Sequence, residues 1–284
     1  MAVTDLIVGL QDRRYRVERP WGRTPPGIAV DVVSQVAVDS QDNVYVAQRI
    51  DPPVVVFDSA GNYLRSWGAG VIADAHGICV TPDDLVLVVD RDAHQVLGFS
   101  PEGELQLQIG ERHSPRFQQP FNHPCDVAVA ADGEIYVCDG YGNSVVHRFA
   151  ADGTWIATWG EPGSGPGQFT TPHAIWVTAD ERVLVADREN NRIQVFDREG
   201  GYLTEWGDHY HPMDIYVDAD GLIYVSDQIP RLSQLDADGN LIGRCRPVLN
   251  GAHGVWGDSR GNLFLAESAP QNRVTKLALQ AGGR

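Results

Sequence analysis

The chain of 284 residues repeats one unit of roughly forty residues six times. The copies begin near Ser34, Ala75, Pro124, Pro172, Pro212 and Ala252. Each copy contains four short runs of alternating apolar and polar residues, with turn sequences such as "ADG" and "EGG" between the third and fourth run. Four such runs predict an antiparallel sheet, and six sheets around an axis hide the faces and edges that one sheet exposes. The repeat therefore predicts an all-β, six-bladed β-propeller, formed by residues 1–284 as a single domain.

The two ends of the chain complement each other. The last copy runs through "RVTKLAL" and lacks a counterpart of the "YLRSWG" and "YLTEWG" strands of other copies. The segment "YRVERPWG", at about residues 15–22, resembles those strands. We expect this N-terminal strand to join the last blade and close the ring. The tryptophans of this strand type are expected to pack between blades, and they are Trp21, Trp67, Trp159 and Trp206.

The charge of the chain restricts its partners. A formal net charge of -16 and a pI near 4.8 disfavour binding to nucleic acid or to an anionic membrane, because both would be repelled. The sequence shows no signal peptide and no apolar stretch long enough to cross a bilayer. Its four cysteines have no C-x-x-C spacing, which suits free thiols in a reducing compartment. We expect a cytoplasmic protein.

One position at the start of each copy carries histidine in every second blade. The six residues at this position are Ser34, His76, Cys125, His173, Met213 and His253. The first strand of a propeller blade lines the central channel, so three imidazoles from alternate blades converge on the axis. Any one of them alone is typical of a core histidine, but together they predict a three-histidine metal site with an open position. Zn²⁺ suits three imidazoles best, and Fe, Co and Ni are weaker candidates.

Arginines and one tyrosine follow the second strand of the copies. This strand usually ends in an acidic residue, which we expect to bond to loop backbone. Arg49, Arg91 and Arg188 come next and would lie near one mouth of the channel, where guanidinium groups can bind a carboxylate. Each can instead pair with a repeat acid. Tyr141 breaks the pattern in the third copy and would place a phenol near the metal.

Several segments resemble a known family. "DGYGNS", "PHAIWV" and "ADREN" are similar to the peptidyl-α-hydroxyglycine α-amidating lyase family, a group within the NHL-repeat propellers. The resemblance implies a zinc ion held by His76, His173 and His253, with Tyr141 as the catalytic tyrosine and Arg188 as a matching arginine.

The chain also departs from the pattern of that family. The family usually has an aspartate after its third histidine; Gly254 stands there and argues against the structural calcium of the family. An arginine that the family places before the first blade has no evident counterpart, and Arg49 or Arg91 would substitute for it.

These features predict a zinc-dependent lyase. Its substrate would be a small N-acyl α-hydroxyglycine or related carbinolamide carrying a carboxylate or amide, cleaved at the C–N bond to an amide and glyoxylate or another carbonyl compound. Tyr141 would act as general base, its pKa lowered by zinc and an arginine, while Arg188 holds the substrate carboxylate, with Arg49 and Arg91 in reserve. A zinc hydrolase of a small amide, ester or lactone is one alternative. A non-catalytic NHL-repeat scaffold that binds a protein partner is another.

Overall fold

A computed structural model describes residues 5–247 and 251–280. The predicted domain of residues 1–284 also includes 1–4, 248–250 and 281–284, which lie outside the described residues. In chain order the strands are β1 (Ile7–Leu10), β2 (Arg13–Glu18), β3 (Val33–Val38), β4 (Val44–Gln48), β5 (Val54–Phe57), β6 (Tyr63–Trp67), β7 (Ala75–Val80), β8 (Val86–Asp90), β9 (Gln95–Phe99), β10 (Leu105–Ile109), β11 (Asp126–Val129), β12 (Ile135–Asp139), β13 (Val145–Phe149), β14 (Trp155–Trp159), β15 (Glu161–Pro162), β16 (Gln168–Phe169), β17 (Pro172–Val177), β18 (Val183–Asp187), β19 (Arg192–Phe196), β20 (Tyr202–Trp206), β21 (Pro212–Val217), β22 (Ile223–Asp227), β23 (Arg231–Leu235), β24 (Leu241–Cys245), β25 (Ala252–Gly257), β26 (Leu263–Glu267) and β27 (Arg273–Leu279).

The strands form six blades, as the repeat predicts. Blades one to five are antiparallel sheets of four consecutive strands: β3–β6, β7–β10, β11–β14, β17–β20 and β21–β24. Blade six has five strands in the order β25, β26, β27, β2, β1. β15 and β16 form a short parallel pair between blades three and four. The first strands contact one another around the ring, so they line the channel.

The N-terminal strand closes the ring as expected. β2 pairs with β27 through Tyr15↔Leu279 and Val17↔Leu277. The strand begins at Arg13 and ends at Glu18, so its bounds differ from the predicted 15–22. Pro20 has no N–H to continue the ladder, and the next residue, Trp21, donates its backbone N–H to Val274 O at 2.8 Å. β1, which the sequence analysis did not predict, adds a fifth strand outside β2.

The repeated tryptophans pack between blades, which explains why tryptophan and glycine recur together. Each indole lies against the glycine of a turn in the next blade, where a Cβ would collide with the ring or press on it; the pairs are Trp21 with Gly61, Trp67 with Gly103, Trp159 with Gly200 and Trp206 with Gly239. These glycines also have positive φ values between 81° and 92°. The turn therefore needs glycine for its backbone conformation and for the space the indole occupies.

Helix is almost absent from this fold. The described residues contain one 3-10 helix, Arg188–Asn190, directly after β18. None of the described helical residues forms a span long and apolar enough to cross a membrane.

Candidate active site

β-Bulges place the three histidines at the channel axis. The pairing of the first two strands skips one residue in blades two, four and six, between Ala75 and Gly77, between Pro172 and Ala174, and between Ala252 and Gly254. The skipped residues are His76, His173 and His253, and blades one and five skip Ser34 and Met213 in the same way. A bulge bends the strand and re-aims the extra residue, here into the channel. The imidazole ring centroids lie 4.9–5.2 Å apart, so the structure brings the three predicted histidines together.

Main-chain carbonyls fix the tautomer of each imidazole. The Nδ1 atoms of His76, His173 and His253 lie 2.7, 2.8 and 2.7 Å from the carbonyl oxygens of the next ring residues, Cys125, Met213 and Ser34. A carbonyl oxygen only accepts hydrogen bonds, so each Nδ1 carries the proton and each Nε2 presents a lone pair. This is the outer-shell arrangement that orients histidine ligands in metal sites.

The electrostatics keep the three imidazoles neutral. Burial lowers the pKa of His253 to about 3, and it lowers the pKa of His76 and His173 well below their ordinary value. One ring nitrogen from each histidine lies within 4.8 Å of the others. Three neutral imidazoles with oriented lone pairs suit Zn²⁺, a borderline cation that commonly takes three protein ligands in catalytic sites. Cys125 shares the ring, but its burial raises the pKa of the thiol, so it presents no thiolate.

Tyr141 lies over the histidines at one mouth of the channel. Its hydroxyl is 3.0 Å from Nε2 of His76 and 3.1 Å from Nε2 of His173. Arg188 donates from Nη1 to the same oxygen at 3.3 Å, and its guanidinium carbon lies 5.4 Å from the centre of the phenol ring. The pKa of this tyrosine is expected to be lowered by zinc and an arginine. The protein groups instead raise it, because burial outweighs the opposing charge of Arg188.

The other two predicted arginines meet at a buried carboxylate. Arg91 also lies close to the tyrosine, with its guanidinium carbon 5.5 Å from the centre of the Tyr141 ring. It forms an ion pair with Asp74, and Nε of Arg49 lies 3.4 Å from the other oxygen of Asp74. Arg49 acts through its charge, which opposes the rise in the pKa of Tyr141 and adds to the fall in the pKa of His253 that burial causes. All seven predicted site residues thus gather at one mouth.

Sequence reasoning missed Asp74. Burial raises the pKa of this carboxyl although Arg49 and Arg91 both oppose the shift. The signal was available: Asp74 stands two residues before the ring position, where the other copies have Val32, His123, Thr171, His211 and Gly251. The acids that end the second strands do bond to loop backbone, as predicted; Asp187, for example, accepts from the N–H of Thr170 at 2.8 Å.

Comparison with known proteins identifies the family. The pattern of a family described as a 6-bladed beta-propeller matches residues 123–241, and that of the NHL repeat matches residues 73–99. NHL repeat-containing protein 3 of Homo sapiens is 31% identical over 256 residues, covering 82% of this chain and 73% of that protein. The chain belongs to the NHL-repeat propellers.

The resemblance to the amidating lyases within this family is also confirmed. Peptidyl-alpha-hydroxyglycine alpha-amidating lyase 1 of Drosophila melanogaster is 30% identical over 199 residues, spanning 66% of this chain and 35% of that lyase. Among solved structures, a gluconolactonase from Xanthomonas campestris matches this NHL-repeat propeller with a TM-score of 0.71 at 17% identity, covering 95% of this chain and 91% of that one. At that identity the likeness shows a common fold.

Proposed function

We propose that this protein is a zinc-dependent lyase that cleaves the C–N bond of a small N-acyl α-hydroxyglycine or related carbinolamide. The products are an amide and glyoxylate, or another carbonyl compound. The observation that carries the proposal is the position of the Tyr141 hydroxyl, within 3.1 Å of two histidine Nε2 atoms and within reach of Arg188. The amidating lyases among the relatives of this chain support the reaction class.

The residues of the site would have separate roles in such a reaction. Nε2 of His76, His173 and His253 would hold the zinc ion. A zinc ion supplies positive charge for a developing oxyanion and lowers the pKa of a neighbouring phenol, which offsets the upward shift from burial. Arg188 binds the substrate carboxylate through nitrogens not engaged with Glu189, and it steadies the Tyr141 oxygen.

Tyr141 transfers the proton in this reaction. The phenolate oxygen takes the proton of the α-hydroxyl, the C–O bond becomes a carbonyl, and the C–N bond breaks. The same proton then passes to the leaving amide nitrogen, so no water is consumed. Arg91, held near the phenol ring by Asp74, adds a second positive charge beside Tyr141.

Metal analysis and glyoxylate release test the proposal together. Protein purified without added metal should contain about one equivalent of zinc and release glyoxylate from N-acyl-α-hydroxyglycines. The His173→Ala variant should lose both, while His113→Ala, which removes an exposed histidine outside the channel, should keep both. Protein without bound metal and without lyase activity would contradict the proposal and favour a binding scaffold.

The Tyr141→Phe variant separates the lyase from a zinc hydrolase. Loss of a general base lowers kcat by roughly 10²- to 10⁴-fold, so the variant should lose that much lyase activity while retaining zinc. Hydrolysis by zinc-bound hydroxide depends less on the phenol. Tyr210→Phe, at an exposed tyrosine, is the matched control. An unimpaired Tyr141→Phe enzyme would refute the lyase mechanism.

A further inference from the structure

A second cavity opens at the opposite mouth of the channel. Its volume is about 340 Å³, at the small end of ligand sites. The valines that end four of the first strands line it; they are Val38, Val80, Val129 and Val177. Tyr141 follows the other end of its blade, so the layer of histidines separates this cavity from the candidate active site. The proposed lyase reaction does not use it.

One side of this cavity is aromatic. Trp176 and Trp256 line it, with ring centroids 4.9 Å apart, and Tyr216 packs 5.4 Å from Trp176. These three residues share one position in blades four, five and six. Blades two and three have the smaller Cys79 and Ala128 at the same position, and both also line the cavity. The asymmetry leaves open space beside the indoles instead of a filled channel.

Two buried carboxylates form the inner end of the cavity. Asp126 and Asp214 are 5% and 2% exposed. The Asp126 carboxylate accepts the N–H of Ile175 at 3.1 Å, and Asp214 accepts those of Ile215 at 2.9 Å and Val255 at 2.6 Å. Within the described part of the chain neither carboxylate forms an ion pair with a lysine, arginine or histidine. Both therefore face the cavity with neutral hydrogen-bond donors only.

The charged side chains that line this cavity, within the described residues, are all acidic. Asp39 and Asp84 join Asp126 and Asp214 in its lining, and the lining residues within the described ranges include no basic side chain. Burial, together with repulsion between the two carboxylates, raises the pKa of Asp126, and burial raises the pKa of Asp214. A buried carboxylate without a cation is costly, so a cationic group placed between the two would be stabilised.

We propose that this cavity binds a small primary amine with an apolar or aromatic body. The ammonium would donate hydrogen bonds to Asp126 and Asp214, and the body would lie against Trp176 and Trp256. A divalent metal fits less well. Ca²⁺ takes six to eight oxygen ligands, whereas the inner end offers two carboxylates and the Gln35 amide, and Asp39 and Asp84 line the cavity only beyond the ends of the first strands.

Titration calorimetry with 2-phenylethylamine tests this site, with tryptophan fluorescence as a second readout. We expect saturable binding that weakens about tenfold or more in Asp214→Asn, since hydrogen bonds to charged groups are the stronger ones. Asp152→Asn, the same change at an exposed turn, should bind like the parent protein. Asp126→Asn repeats the test at the second carboxylate.

Three further arms decide between the amine and other ligands. The neutral analogue 2-phenylethanol should bind more weakly than the amine, and Ca²⁺ alone should not bind here. Tyr141→Phe should retain amine binding, because its hydroxyl lies beyond the histidine layer; this result is independent of whether the lyase proposal holds. Equal binding of the alcohol, binding of Ca²⁺ in place of the amine, or loss of amine binding in Tyr141→Phe would overturn the assignment.

Discussion

Tyr15 shows how much the N-terminal strand contributes to the closed ring. Its side chain is fully buried in the cluster between blades five and six, where it packs with Tyr224 and Leu277. Replacing a buried aromatic side chain by alanine costs about 3–5 kcal/mol, because the apolar contact is lost and a cavity remains. Domains of this kind have a free energy of unfolding of roughly 5–15 kcal/mol. The Tyr15→Ala variant should therefore lose at least about a fifth of that free energy.

Urea unfolding of the variant, followed by tryptophan fluorescence and by circular dichroism, measures this loss. The two signals should change together at a lower midpoint, because opening blade six releases its neighbours as well. Arg14→Ala, which removes an exposed side chain of the same strand, should stay within about 0.5 kcal/mol of the parent protein. A loss below about 1 kcal/mol for Tyr15→Ala, or a separate early transition that leaves the tryptophan signal unchanged, would refute this account of ring closure.

Three other substitutions test the site and the packing. Asp74→Asn should lower kcat of the proposed lyase by roughly tenfold or more, because Arg91 is no longer held over Tyr141; steady-state kinetics should show a smaller effect for Asp92→Asn. Asp214→Asn should reduce the fall in Tm between pH 5 and pH 8. The folded protein keeps protons on its buried carboxyls that the unfolded chain releases above a pKa of about 4, so stability falls as pH rises, and the amide removes one such group. Gly200→Ala should cost more stability than Gly27→Ala in thermal unfolding, because both have positive φ but only at Gly200 would the Cβ meet an indole, at 2.6 Å from Trp159.

Most of the fold and of the site could be predicted from the repeat. Aligning its copies shows which residues occupy equivalent positions in the six blades, as well as the fold. Once the copies are aligned, His76, His173 and His253 fall on alternate blades without any knowledge of distances. The alignment of the copies cannot reveal a β-bulge, because a residue skipped in the strand pairing leaves no gap or insertion in the repeat. Nor can it show β1, a run of only four residues that is followed directly by the charged "QDRR" of its hairpin turn and of β2.

The sequence analysis also did not predict the two buried acids of the channel, for a physical reason. Asp126 and Asp214 are the same residue type as the many aspartates that cap turns of this propeller, such as Asp58 and Asp236. Only the packing distinguishes a carboxylate that accepts turn N–H groups in solvent from one enclosed in the channel. The position directly after the ring residue held a weak signal, because it is polar in blades one, three and five and small in the others.

The same alternation applies to the ring position, where a six-bladed propeller places three histidines on alternate blades. Each histidine needs an acceptor for its Nδ1 proton, and the main-chain carbonyl of the ring residue in the next blade provides one. The residues after the histidines are small because the intervening blades send larger side chains into the same layer. A Cβ on Gly77 would lie 2.8 Å from an Asp126 oxygen, and one on Gly254 would overlap the Gln35 amide. An aspartate at the position of Gly254, as amidating lyases usually have, would require the Gln35 amide to move, and in this chain the acidic groups of the channel come from Asp126 and Asp214 instead.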